Sequence, residues 1–162
     1  MPKIELLDGR HDRTGFDCGV TALNNFLKAT ARQHARKGIS RTFVLTEESD
    51  EILGFFTLTL CEIIAGDIPA KLAREYPAHS LPAVRLARLA VSRRHQKKGY
   101  GELLLADAVS RTRLIAGQAG LIGLLVDAKD ESASRFYQRF GFTTISSDTL
   151  QLFMPIGTIL SI

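Results

Sequence analysis

The spacing of apolar positions divides the chain into short β-like runs and longer helical ones. Ile4, Leu6 and Leu7 mark a first strand, which stops in the polar turn Asp8-Gly9-Arg10-His11-Asp12-Arg13. Leu23, Phe26, Leu27, Thr30 and Ala31 then recur at helical spacing, with Asn24, Lys28, Arg32 and Gln33 on other faces. That pattern predicts an amphipathic helix over 20–36, stopped by Gly38. Residues 41–46 and 52–64 are rich in β-formers on either side of the acidic turn Glu47-Glu48-Ser49-Asp50-Glu51. They predict a hairpin, with a bulge or close packing at Gly54. Asp67-Ile68-Pro69 opens a short helix over 70–76, and Pro77 and Pro82 bracket a loop.

An apolar run over 86–91 predicts the next strand. Leu103, Leu104, Ala108 and Ile115 give a helix over about 100–116, stopped by Gly117 and Gly120. The continuous apolar run 121–126 is that of a strand buried on both faces. Asp130 is placed to cap a helix containing Ala133, Phe136, Tyr137 and Phe140, which Gly141 ends. β-like stretches follow at 142–145 and 150–154. The last one, ending Ile159-Leu160-Ser161-Ile162, is apolar enough to predict a contact surface. The order β, α, β, β, short α, β, α, β, α, β, β predicts an α/β fold: a mixed sheet with helices on both faces. At 162 residues and 45% hydrophobic content, with no repeat or linker, the chain reads as one domain, 1–162.

Charge changes this picture locally. The net charge is only +4, but residues 85–98 carry four Arg, two Lys and one His and no acid. Such a cluster attracts phosphate, on a cofactor or on nucleic acid, or else forms a solvated rim. Cys18 and Cys61 stand in unrelated contexts, and His11, His34, His79 and His95 show no ligand spacing, so no metal site is expected. No apolar run approaches the roughly 20 residues of a membrane span, and the N-terminus has no signal-peptide profile. A cytoplasmic protein is expected, with no membrane partner.

The basic cluster holds Gln96-Lys97-Lys98-Gly99-Tyr100-Gly101, set between a strand and a helix. Two glycines let a tight turn aim several backbone N–H groups inward, and the following helix adds its positive end. A pyrophosphate suits that cradle. The Lys-Ser or Lys-Thr that follows the last glycine of a nucleotide P-loop is absent, and so is G-x-G-x-x-G. Coenzyme A, whose pyrophosphate needs donors but no metal, is the remaining well-known user of such a turn, and a plain strand-to-helix turn is the other reading.

Gln96-x-x-Gly99-x-Gly101 after Leu89-Ala90-Val91 resembles the acetyl-CoA signature of the GNAT N-acetyltransferase superfamily, and the element order matches that family along nearly the whole chain. The resemblance implies a mostly antiparallel sheet of about seven strands whose central parallel pair splays apart around acetyl-CoA. It implies that backbone groups of Leu89 and Val91 hold the pantetheine arm, that a bulge near Ala90 aims an N–H at the thioester carbonyl, and that Gln96, Lys97, Lys98, Gly99, Tyr100 and Gly101 hold the pyrophosphate. The segment Phe136-Tyr137 before Phe140-Gly141-Phe142 resembles the one in which many members place a catalytic tyrosine, here Tyr137. Phe16-Asp17-Cys18-Gly19 with Leu23-Asn24 and Phe26-Leu27, together with Ser40-Arg41-Thr42-Phe43-Val44-Leu45, resembles one branch: the GNAT toxins of bacterial toxin–antitoxin pairs.

That branch implies acetylation of the α-amino group of aminoacyl-tRNA, a ribbon-helix-helix antitoxin as partner, and a homodimer. Arg41, Arg88, Arg93 and Arg94 are then candidates for contacting the substrate, by positioning phosphates without reading sequence. A small amine, an antibiotic or a protein N-terminus stands as an alternative acceptor. A non-catalytic module that binds coenzyme A or a partner is the alternative of another class. No general base stands out. Glu62 and Asp127 are candidates, and the weakly basic amine of an aminoacyl ester also fits a mechanism without one.

Overall fold

The computed structural model describes residues 1–145 and 150–162. In chain order its elements are β1 (Lys3–Leu6), α1 (Thr21–Asn25), a π-helical turn (Phe26–Thr30), α2 (Ala31–Arg36), β2 (Arg41–Thr46), β3 (Gly54–Ile63) and α3 (Ala70–Ala73). There follow β4 (Leu81–Val91), a 3₁₀ turn (Arg93–His95), α4 (Tyr100–Ala116), β5 (Gly123–Asp127), α5 (Glu131–Arg139), β6 (Thr143–Thr144), β7 (Gln151–Pro155) and α6 (Ile156–Ser161). The strands form one seven-stranded sheet in the order β1-β2-β3-β4-β5-β7-β6. β1·β2, β2·β3, β5·β7 and β6·β7 are antiparallel, and β4·β5 is the parallel pair, in register at Val84↔Leu124, Arg85↔Leu125 and Leu86↔Val126.

Two compact units make up the chain. The first comprises Met1–Thr59 and Ala87–Ala108, the second Leu60–Leu86 and Val109–Ile162. In the first, Phe16, Phe26, Leu27, Ala31, Val44, Ile52, Phe55 and Ala90 form the buried cluster. Phe55 takes Phe16 edge-on at 5.5 Å and Phe26 stacked at 6.4 Å, so the helical stretch 21–36 is fixed on the sheet by aromatic burial. In the second, Ile63, Ile68, Ala83, Ile122, Leu125 and Phe153 pack together.

Several elements fall where the pattern predicts them. The Asp130 side chain accepts the Ala133 N–H at 2.8 Å and starts α5. Close packing is what occurs at Gly54: a Cβ there would lie 2.8 Å from Leu104 Cδ1 and 3.0 Å from the Ala90 carbonyl oxygen.

Other elements differ from the expected pattern. β4 starts at Leu81, five residues before the expected strand, and includes Pro82. The Pro82 carbonyl accepts the Ile122 N–H at 2.9 Å, so a residue without a donor still serves the ladder as an acceptor. The predicted helix over 20–36 carries a π-helical turn in its middle. The end of the chain is helical rather than β-like: α6 buries Ile159 completely and leaves Leu160 and Ile162 exposed.

Candidate active site

The end of β4 and the turn after it belong to the first unit. Ala90 points into the core, while Leu89 and Val91 are half-buried, as strand alternation requires. Ser92 N–H donates to the Leu53 carbonyl at 2.8 Å, which ties the turn to β3 just before the close contact at Gly54.

Beyond the 3₁₀ turn the backbone becomes left-handed twice, at Lys97 (φ 65°) and Gly99 (φ 84°). Gly99 adopts this without strain, and the space where its Cβ would stand is open. Lys97 has no such freedom, so it holds a sparsely populated conformation at the centre of the turn. α4 begins at Tyr100, and the first amides of a helix have no carbonyl one turn back. Their N–H groups, the positive helix end and the exposed Lys97 and Lys98 therefore make the turn electropositive.

What braces this turn lies far away in sequence. The Asp17 carbonyl accepts the Arg93 N–H at 2.8 Å, and its carboxylate faces the Arg93 guanidinium at 3.6 Å. The other carboxylate oxygen accepts the Gly19 N–H (2.9 Å) and the Asn24 side-chain amide (3.0 Å). These bonds hold the Asp17 pKa below the usual carboxylate range, chiefly through the Gly19 N–H. Asn24 in turn accepts the Cys18 N–H at 2.8 Å. The Gln96 side chain donates to the Val91 carbonyl at 3.0 Å and reaches the Cys18 carbonyl at 3.4 Å. Gln96 thus fastens the turn to its own strand and to the 16–19 segment.

Tyr100 and Arg94 look toward the hairpin between β2 and β3. The Tyr100 hydroxyl donates to Glu47 at 2.7 Å, and that bond raises the phenol pKa. Arg94 pairs with Glu51 at 3.0 Å. Arg88 places its guanidinium carbon over the Phe26 ring, 3.6 Å from the centroid, and partial burial lowers its pKa. Arg41 is exposed at the start of β2 and donates to the Ala35 carbonyl at 3.0 Å.

Tyr137 belongs to the second unit. It lies on α5, is 6% exposed, and has the rings of Phe136 and Phe142 edge-on at 5.3 and 5.7 Å. Burial alone pushes its pKa well above that of an ordinary phenol, so the hydroxyl keeps its proton throughout the physiological range. In the same unit Asp127 forms an ion pair with Arg85 across the parallel strands, which commits its carboxylate. Glu62 is exposed on β3. Among the described residues no three His, Cys, Asp or Glu side chains form a metal-binding group, and no helix is long and apolar enough to cross a membrane.

Sequence reasoning found the turn but missed Asp17 and Asn24 as its supports. The only signal was the compact Phe16-Asp17-Cys18-Gly19 segment, which carries no stated partner.

Residues 38–144 match the acetyltransferase (GNAT) domain. The chain is 36% identical to a probable toxin TacT of Sinorhizobium fredii, over 98% of this chain and 93% of that protein. It is 34% identical to a tRNA-acetylating toxin of Mycobacterium tuberculosis, over 88% of this chain and 85% of that one. Among solved structures, a tyrosine-to-phenylalanine mutant of KacT superposes with a TM-score of 0.93 at 31% identity, covering 99% and 98% of the two chains. AtaT complexed with acetyl-methionyl-tRNAfMet gives 0.91 at 30% identity, covering 99% and 98%. A tyrosine-to-phenylalanine mutant of the toxin AtaT, bound to the C-terminus of the antitoxin AtaR and acetyl-CoA, gives 0.82 at 31% identity, covering 98% and 95%. The chain belongs to the GNAT acetyltransferase family. Its activity is acetyl-CoA-dependent N-acetyl transfer, on a seven-stranded, mostly antiparallel sheet with one parallel pair.

Proposed function

We propose that the chain, working as one catalytic domain over 1–162, is a toxin that acetylates the α-amino group of aminoacyl-tRNA. The observation that carries this is the braced, electropositive turn 96–101 in a chain whose relatives include a tRNA-acetylating toxin. AtaT, a structural neighbour over nearly the full chain, is complexed with an acetylated aminoacyl-tRNA.

The turn fits a pyrophosphate: open space at Gly99, first-turn amides of α4 and two exposed lysines. Backbone groups of Lys97, Lys98, Gly99, Tyr100 and Gly101 hold it, and Gln96 keeps the turn in shape. Leu89 and Val91 offer their main-chain groups to the pantetheine amides as a strand edge does, and the Ala90 side chain anchors that edge in the core. Bound acetyl-CoA supplies the activated acyl group. Tyr137 holds its proton at the phenolic oxygen and donates it to the departing thiolate as general acid. Tyrosine-to-phenylalanine mutants are the forms of KacT and AtaT in four of the neighbouring structures. No carboxylate base is required. Asp127 is engaged by Arg85, and an aminoacyl ester amine is weakly basic.

Arg93 and Arg94, both mostly exposed, flank the cradle: Arg94 meets acceptor-stem phosphates after releasing Glu51, and Arg93, still held by Asp17, presents its outward guanidinium N–H groups to them. Arg88, over the Phe26 ring, and Arg41 extend that basic surface. AtaT is bound by the C-terminus of an antitoxin, and a ribbon-helix-helix antitoxin, a homodimer and a cytoplasmic location complete the reading for this chain. The test is acetyl transfer from labelled acetyl-CoA to a mixed aminoacyl-tRNA pool. Label in the tRNA fraction is expected. Label confined to small amines or protein N-termini contradicts the reading.

A further inference from the structure

We propose that the cavity between β1 and α2 is a second phosphate-binding site, which holds the backbone of the substrate RNA away from the acetyl-CoA turn. The cavity lies wholly in the first unit and has a volume of about 330 Å³. Its floor is apolar, from Leu6, Leu7, Ala31 and Ala35, and its rim carries Arg32, Arg36 and Arg41.

Three features make the rim a phosphate receptor rather than an ordinary solvated face. Between Asp17 and Glu47 the chain has no acidic residue, yet it carries Lys28, Arg32, Arg36, Lys37 and Arg41. Among the described residues, neither Arg32 nor Arg36 has a carboxylate partner. Among the described residues the one acid on the lining, Asp8, is used within its own turn, where it accepts the Arg10 N–H at 3.0 Å and the Arg10 Nε–H at 3.3 Å.

Geometry also pre-orders the arginines. Arg41 is anchored by its bond to the Ala35 carbonyl, and the Arg32 guanidinium rests against Gly9, whose Cβ, if present, would lie 3.5 Å from it. Arg32 and Arg36 are four residues apart on α2 and so project from one face. A planar guanidinium pair above an apolar floor suits a phosphodiester with its ribose beneath, and the volume is at the small end of ligand pockets. Further along the same helical stretch, Phe26 carries Arg88. Phe26 and Arg36 are ten residues apart, about 15 Å of helix, which a few nucleotides of one strand span.

This inference rests on the aminoacyl-tRNA reading. It is tested by comparing wild type with the Arg32→Gln/Arg36→Gln double variant, after thermal melting confirms that both fold, and with the charge-preserving Arg32→Lys/Arg36→Lys pair. The glutamine pair should raise KM for aminoacyl-tRNA by roughly 5- to 20-fold. It should also flatten the log–log salt dependence of kcat/KM by about 1.5 to 2, with KM for acetyl-CoA unchanged. The lysine pair should keep the wild-type salt slope.

An unchanged tRNA KM and salt slope in the glutamine pair overturn the site, and so does a loss confined to binding an acidic protein partner. If wild type acetylates no aminoacyl-tRNA, it is the functional reading that fails. The cavity is then judged by fluorescence anisotropy with a labelled acceptor-stem hairpin, where equal affinity for wild type and the glutamine pair overturns it.

Discussion

Asp17 and Arg93, 76 positions apart, are joined twice: main chain to main chain at 2.8 Å and carboxylate to guanidinium at 3.6 Å. The cofactor turn therefore owes its shape to a segment near the N-terminus as well as to the left-handed Gly99. Asp17→Ala removes the acceptor shared by Gly19 and Asn24 and should raise KM for acetyl-CoA roughly tenfold. Asp17→Asn keeps one carbonyl acceptor and should recover part of the loss. Steady-state kinetics at saturating acceptor read both.

Gly54→Ala tests the close approach of β3, β4 and α4 within the first unit. The new methyl group meets Leu104 at 2.8 Å and the Ala90 carbonyl at 3.0 Å. It should destabilise the protein by about 1 to 3 kcal/mol through overpacking. Chemical denaturation measures this, and a parallel rise in KM for acetyl-CoA would report the displaced Ala90.

Tyr137→Phe keeps the aromatic packing against Phe136 and Phe142 and removes only the hydroxyl. Turnover should fall by about 100-fold to 10,000-fold with little change in melting temperature. Burial raises the pKa of this acid, so its protonated form persists to higher pH than an exposed phenol allows. The wild-type rate should therefore rise with pH as the acceptor amine loses its proton, with no fall from Tyr137 ionisation below about pH 10.

Acid stability should show a second signature. His11 is buried, accepts the Asp8 N–H at Nδ1 (3.0 Å) and meets Glu5 through Nε2 (3.0 Å). The bonds from His11 and Arg10 pull the Glu5 pKa down to about 2 from 4.5. A carboxylate with a depressed folded pKa adds stability above its ordinary pKa and loses it as pH falls through the folded value. Melting temperature should thus drop between about pH 4.5 and 2, and Glu5→Gln should flatten part of that drop.

The sequence was most legible where a local rule acts. Asp130 caps α5 because a side-chain oxygen reaches an amide three residues on, and Gly99 takes the left-handed conformation its residue type favours. The second left-handed residue of the turn is Lys97 rather than Gly101, which lies inside α4, and no glycine pattern announces it. The β4 start at Leu81 was hidden by Pro82, whose missing donor argues against a strand although its carbonyl is free to pair. Short apolar ends such as Ile159-Leu160-Ser161-Ile162 do not distinguish helix from strand by period. The Asp17–Arg93 and Arg85–Asp127 partnerships were unreadable, since nothing in a sequence states which distant charges meet.

The most direct measurement is the chemical position of the label. Aminoacyl-tRNA incubated with labelled acetyl-CoA and the protein is treated with mild alkali to cleave the ester, and the released amino acid is analysed. Label recovered as N-acetyl amino acid with wild type, and lost with Tyr137→Phe, is the result predicted. Unlabelled amino acid from a preparation that still turns over acetyl-CoA with another amine would contradict the assignment of aminoacyl-tRNA as substrate.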